Sequence, residues 1–517
     1  MAKLYIFAIG GTGARVIKAL TMLLACGVKS NFKEIVPIII DPDKNGADIN
    51  RTINILKEYQ RIHEACGDFE KNDFFKTKIT TLSEIIASGN GNPNVIDGFR
   101  YEVDGTQSSS FKDFIDFGNM DTPNRYFANL LFSNDNLNSN LEVGFKGNPN
   151  MGSVVLNQFT RSAAFSAFAN NYKAEDSIFI ISSIFGGTGA AGFPLLLKNI
   201  REGKVVVDEN QEPKYHEFLK NAIVGAITVQ PYFKLGVSSQ SRIDSQSFIT
   251  KTKAALHYYS SNVSGNDSLN AMYYIGDTDT PEYPNIEGGR QQKNDAHFVE
   301  LASALAVIDF GNTNNFYSTV DGRAANQITF KEFGIDEGAK TVNFSHLNQA
   351  TNGVIRSNLT AYFYFSLFLK DKLKSELKRP YAEFYTNKFD IAYLSQNPFY
   401  LTLSSFNKSF RIWLGEMYRN DEHFRPFSIR VLKDERTNDV IEAEVTDTSI
   451  FSVLNDVKER KSFLDRTPFP KKNYELFVHE LNKSAEIVGN ADINKRFMGV
   501  FSTATQSLVK KKLFSNE

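Results

Sequence analysis

Only two cysteines, Cys26 and Cys66, occur in 517 residues. So few cannot build a disulfide framework or a zinc module, and a reducing compartment is the expected home. Net charge is equally scarce: 58 basic residues nearly cancel 59 acidic ones, leaving −1. A chain that coats nucleic acid or an anionic membrane carries a basic surplus, so general nucleic-acid binding is excluded as its main business. Long apolar runs are missing too. Stretches such as Ala302 to Phe310 fall far short of the roughly 20 residues that cross a bilayer, and no small-residue cleavage site follows the apolar start MAKLYIFAIGGTG. A cytoplasmic protein without a membrane span is expected. There is no internal repeat and no low-complexity tract. What is present is ordinary globular composition, 42% hydrophobic and 23% charged, enough for real cores in two or three domains. The 44 Phe residues read as core filling.

Leu4 to Ile9 is an apolar strand running into Gly10-Gly11-Thr12-Gly13, and Ala14 to Leu24 continues with helical spacing. Ile35 to Ile40 is a second buried strand, ending at Asp41-Pro42-Asp43. Together they form a βαβ unit of a sheet covered on both faces. Residues 89–150 are rich in Asn, Gly, Ser and Asp and read as loops with short elements. A helix is expected over Ser153 to Asn170, a strand over Asp176 to Ser183, and a helix from Pro194 to Glu202. Strands follow at Ala222 to Val229 and Met272 to Ile275. Asp295 to Phe310 is a long apolar helix suited to the middle of a molecule. Polar connectors come next; from about residue 352 a helix, a mixed region and a helical end at Asn494 to Leu513 are expected. The boundaries fall at 1–310, 311–350 and 351–517.

Glycines between a buried strand and a helix let backbone approach an anion, and the helix N-terminus offers free N–H groups. Gly11-x-Gly13 reads like the start of a dinucleotide fingerprint, with Val16 where the third glycine belongs and Asp41 placed to hold a ribose hydroxyl. Alone, it fits a cofactor loop or a structural turn equally. The run from Phe185 to Phe193 repeats the strand–GGTG–helix arrangement, where a dinucleotide fold has no use for it. Neither segment contains the P-loop pattern. Two such loops can grip a polyphosphate from two sides. A third element, Gly147-Asn148-Pro149-Asn150-Met151-Gly152, precedes the second glycine strand.

This order of loops, over roughly residues 1–350, resembles the tubulin/FtsZ superfamily of GTP-binding, filament-forming proteins. There an N-terminal glycine loop, a GNPxxG-like loop and a GGGTGTG-like loop surround the nucleotide. Here the last reads Phe185-Gly186-Gly187-Thr188-Gly189-Ala190-Ala191. Val224 to Tyr232 resembles the strand and sugar-contacting loop, and Asn294 to Phe310 the central helix. The fold implied is α/β: a tubulin/FtsZ-like nucleotide-binding domain with a parallel sheet and central helix, then an α+β C-terminal domain.

The resemblance also assigns residues. Gly10, Gly11, Thr12 and Gly13 lie under the phosphates of GTP or GDP. Arg15 stands where the family has Asn or Gln, and is either a nucleotide contact or an exposed helix arginine. Asp41, Asp43 and Asn45 lie near the phosphates and a magnesium ion, with Asp43 as its ligand, or form an ordinary polar turn. Asn148 and Gly152 flank the γ-phosphate; Gly186, Gly187, Thr188, Gly189 and Ala190 serve the β- and α-phosphates. Pro231 belongs to the sugar loop, where Leu235 replaces a Glu. Asn294 or Asp295 meets the base, and His297 either stacks there or is a buried helix histidine.

Hydrolysis in the family needs an acidic N-x-D-x-x-D/E loop delivered by a neighbouring subunit. The nearest segment, Thr341 to Leu347, has Thr, Asn343 and His346 at the polar positions, so Asn343 and His346 are the candidates that remain. Asp336, Glu337 and Asp309 are acidic alternatives. Nucleotide binding is therefore expected ahead of turnover. The resemblance further implies head-to-tail assembly into filaments or rings, in a bacterial cytoskeletal or phage-defence role. A non-hydrolysing switch that signals to a partner protein through the C-terminal domain is the alternative. An NAD(P)-dependent oxidoreductase would leave the loops at 147–152 and 185–192 unexplained. Lys510-Lys511-Lys512 reads as a solvated helix terminus or a tail that docks an acidic partner.

Overall fold

The computed structural model describes residues 2–513 except 90, 108, 207–211, 237–244, 264–266, 278–280, 285–288, 291, 314–318, 325–327, 333–340, 380–383, 385–388, 421–423, 446–448, 456, 458–472 and 490. Its frame is an eight-stranded sheet. The strands are β1 (Lys3–Ile9), β2 (Glu34–Ile40), β3 (Lys78–Ile79), β4 (Arg100–Tyr101), β5 (Ser177–Ser183), β6 (Ile223–Val229), β7 (Ala271–Ile275) and β8 (Thr329–Glu332). They run β8-β7-β6-β5-β1-β2-β3, with β4 also on β2, and every pairing is parallel.

Burial on both faces is why β1 and β2 are nearly continuous apolar runs. Leu4, Ile6 and Ala8 join one hydrophobic cluster, while Tyr5, Phe7 and Ile9 join the cluster on the opposite face. Pro37 sits inside β2, where a missing donor would ordinarily break a ladder. It is tolerated because the N–H groups of residues two apart point the same way. Ile39 N donates outward to Phe99, and residue 37 faces the unpaired gap between β3 and β4.

Helix α1 (Gly10–Ala25) follows β1 directly, α2 (Ala47–Cys66) follows β2, and the expected 153–170 helix is two: α3 (Pro149–Leu156) and α4 (Ala163–Asn171). Ser162 breaks it by capping α4, its hydroxyl accepting from Phe165 N at 3.1 Å. Helix α5 (Gly187–Glu202) starts at the glycines, seven residues before the expected Pro194, which lies in its interior. Helix α6 (Ser245–Asn262) precedes β7. The apolar central helix α7 (Phe298–Asn312) packs on α1, β6 and β7. It begins at Phe298 because His297 is its cap, so Asn294 and Asp295 belong to the incoming segment.

The C-terminal part consists mainly of helices, α8 (Gln349–Asp371), α9 (Pro398–Arg419), α10 (Asn473–Val488) and α11 (Ile493–Leu513), with an antiparallel hairpin at 430–444. Helices α9 and α11 pack against α2, and one apolar cluster runs from α1 through α7 into α8–α11. The fold class is α/β, as expected: a parallel sheet with a central helix, followed by a mainly helical C-terminal part. Among the described residues no helix is long and apolar enough to cross a membrane.

Candidate functional site

Three backbone segments meet at the carboxyl edge of β1 and β5. Gly10, at φ +78°, occupies the left-handed region that favours glycine, and a Cβ there would lie 3.7 Å from Gly189 N. A Cβ on Gly187 would come within 3.0 Å of Asn148 N and 3.2 Å of Gly147 N. The first glycine loop therefore touches the second, and the second touches the third. Lys251 of α6 anchors the third, its Nζ donating to the Gly147 carbonyl at 2.6 Å.

The two helices that open here lack a side-chain cap. Neither Ile9, before α1, nor Gly186, before α5, caps its helix with a side chain, and neither first turn carries an acid. By contrast, Asn148 Oδ1 caps α3, accepting from Asn150 N and Met151 N, and His297 caps α7. Uncapped N–H groups and the positive dipole ends of two helices face one cavity of about 190 Å³.

Gly10, Gly11, Thr12, Gly186, Gly187, Thr188 and Gly189 line the cavity, with the 143–147 segment beside them. Asp41, Asp43 and Asp48 form an acidic wall; Phe185, Phe233 and Leu235 form an apolar one; Asn294 and Gln292 lie at the edge. Burial pushes the Asp41 carboxyl up to about 7, reinforced by the charge of Asp43 and opposed by the Asp43 N–H and by Arg100. Asp41 Oδ1 accepts that N–H at 2.8 Å, and Oδ2 would lie 3.9 Å from a Cβ on Gly10. Both oxygens of Asp43 accept backbone N–H groups, Oδ1 from Asn45 at 2.9 Å and Oδ2 from Gly289 at 2.7 Å.

Arg15 lines the cavity but is only 5% exposed, which removes the reading of a surface arginine. Its guanidinium is held by Glu300 at 2.7 Å, Asp48 at 2.9 Å and the Tyr232 hydroxyl at 2.6 Å. Burial opposes the charge of Asp48, yet Arg51, Arg15 and Lys18 hold its carboxyl down to about 2.

Other expected residues sit just outside the cavity. Gly13 packs on the Ala8 backbone, Asn45 donates to Asp43, Asn148 caps α3, and Gly152 lies against the Gly187 carbonyl. Ala190 faces a neighbouring groove of about 930 Å³ between α5 and α6. That groove is larger, but it lacks the first glycine loop and the acidic wall. Pro231 is also outside the cavity, and the loop it opens contributes Phe233 and Leu235 instead. His297 is buried, its Nδ1 accepting from Val299 N at 3.0 Å, with its ring edge-on to Tyr232.

Residues 341–347 form a short helical turn in which Asn343 and His346 cap each other. Asn343 Oδ1 accepts from Ser345 N at 2.9 Å, and His346 Nδ1 accepts from Asn343 N at 3.1 Å. Asp309 accepts from the Tyr273 hydroxyl and pairs with Lys331. Asp336 and Glu337 lie outside the described residues. Residues that sequence patterns did not single out are Asp48, Phe233, Gln292 and the 143–146 segment; each reaches the cavity by folding.

No protein-family model matches the chain, and no curated protein matches it. Among solved structures it is similar to CetZ2 from Haloferax volcanii, described as a GTPγS-bound protofilament. Identity is 12% and the TM-score 0.28; the match spans 61% of this chain and 61% of that one, less than two thirds of either.

Proposed function

We propose that the chain binds a guanine nucleotide, GTP or GDP, with its phosphates between the N-termini of α1 and α5. One observation carries this reading: two glycine-opened, uncapped helix N-termini face one cavity, and a third glycine-containing loop closes against the second. Such ends bind anions through backbone N–H groups and the helix dipole. Guanine as the base follows from the resemblance of the loop order. The acidic wall calls for a counter-ion beside the phosphates. Magnesium fits the oxygen chemistry there: Asp41 Oδ2 accepts no hydrogen bond among the described residues, whereas both Asp43 oxygens hold backbone N–H groups. Asp41 is therefore the better ligand, and the ion would supply charge neutralisation when bound.

Turnover is slow in this reading, because Asn343 and His346 bond to their own turn and carry no carboxylate. The same feature favours a second form of the reading, a switch that holds GTP without hydrolysing it and signals to a partner. The resemblance extends the proposal to head-to-tail self-assembly, in a bacterial cytoskeletal or defence role. Two buried, unpaired cysteines suit the cytoplasm. The test is extraction of the purified chain and identification of the nucleotide it retains. Guanine nucleotide supports the reading; NAD(P), or no nucleotide even after incubation with GTP, contradicts it. Light scattering with GTP against GDP tests assembly.

A further inference from the structure

A ladder of buried and partly buried charges joins the cavity wall to the C-terminal helices. Four cations, Arg15, Lys18, Arg51 and Arg419, interleave with four anions, Asp48, Asp295, Glu300 and Glu416. None of the four carboxylate side chains is more than 7% exposed.

The contacts run in one direction. Arg15 and Asp48 both line the cavity and pair at 2.9 Å. The second oxygen of Asp48 pairs with Arg51, and Arg51 Nη1 reaches Glu416 Oε1 of α9 at 2.6 Å. The other oxygen of Glu416 accepts from Ala296 N at 3.0 Å and faces Lys18 Nζ at 3.3 Å. A parallel path starts at Asn294, also on the cavity. Its N–H donates to Asp48 at 3.3 Å and its carbonyl accepts from Arg51 at 2.8 Å. The adjacent Asp295 pairs with Arg419, at the end of α9. Every rung on the first path shares a partner with the next; on the second, the step from Asn294 to Asp295 is the peptide bond between them.

Arg15 Nη1, the atom that holds Asp48, would lie 3.5 Å from a Cβ on Gly11, at the cavity surface. A polyphosphate seated there competes with Asp48 for this guanidinium. Asp48 then leans more heavily on Arg51, and Arg51 loosens its hold on Glu416. In a low-dielectric interior such exchanges are large and have few intermediate arrangements. We propose that this ladder reports occupancy of the cavity to α9, so that nucleotide binding shifts α9 against α2. This rests on the reading that a nucleotide binds there.

The chain supplies its own reporter. Trp413, its one tryptophan, lies on α9 within a helical turn of Glu416 and is 1% exposed. GTP is titrated into the full chain while Trp413 emission is followed, and binding is measured separately by equilibrium dialysis. The expected result is a saturable emission change with the same midpoint as binding. In Arg51→Gln, and in Arg51→Gln/Glu416→Gln, which removes one charge of each sign should the single variant fail to fold, binding persists and the emission change is lost. Binding by the unaltered chain with no emission change overturns the proposal. So does a full emission change in the double variant. Absence of GTP binding by dialysis overturns the nucleotide reading itself, and the proposal with it.

Discussion

The guanidinium of Arg15 and the carboxylate of Glu300 meet at 2.7 Å, tying the helix of the first glycine loop to the central helix. Glu300 is completely buried, and the Tyr232 hydroxyl donates to the same oxygen at 2.9 Å. Arg15→Met therefore strands Glu300 and part of the charge of Asp48. The expected cost is about 3–5 kcal/mol, read as a fall in the denaturant midpoint. Arg15→Met/Glu300→Gln recovers most of it, because the orphaned charge is gone.

Asp41 gives the site a pH dependence. Its folded value of about 7 lies above its ordinary 3.8, so between these pH values the folded chain keeps a proton that the unfolded chain releases. Its contribution to stability is complete below 3.8, declines as pH rises and is gone above 7. Ionised Asp41 also repels phosphate. Without divalent cations, GTP binds up to about tenfold more tightly at pH 6 than at pH 8. Asp41→Asn abolishes that part of the dependence, as equilibrium dialysis at the two pH values will read.

Glycine at 187 is required by approach of the third loop. Gly187→Ala puts a Cβ 3.0 Å from Asn148 N and from Phe145 Cβ, which pushes the loops apart. GTP affinity falls about tenfold or more, and stability falls by about 1–3 kcal/mol. Gly353→Ala on α8, where a Cβ meets nothing within 4 Å, is the control. It stabilises by about 0.5–1 kcal/mol in thermal or denaturant unfolding and leaves binding unchanged.

His346 acts in its own turn. His346→Ala removes the acceptor for Asn343 N and costs about 1 kcal/mol, like loss of a helix cap. Phosphate release from GTP stays at the level of the unaltered chain. A marked fall in release, with binding intact, would assign His346 to the reaction instead.

Much of this fold is readable in the chain because its parts announce themselves locally. Strands buried on both faces leave apolar runs such as IVPIII, and glycines mark where backbone must touch backbone. The central helix is apolar over most of its surface because most of it is packed. Asp48, Phe233 and Gln292 carry no such mark: each reaches the cavity through the packing of distant elements. Arg15 was visible, but its burial depended on Glu300, 285 positions away. Sequence places the start of α5 at Pro194 because glycines disfavour helix, whereas the helix begins at Gly187, where the first turn must be small enough to touch the 147–148 backbone.

The most direct measurement is a calorimetric titration of GTP into the full chain and into Gly187→Val. The account predicts one GTP per chain for the first and a large loss of affinity for the second, whose side chain would occupy the contact between the glycine loops. No binding by the unaltered chain, or undiminished binding by a folded variant, would contradict it.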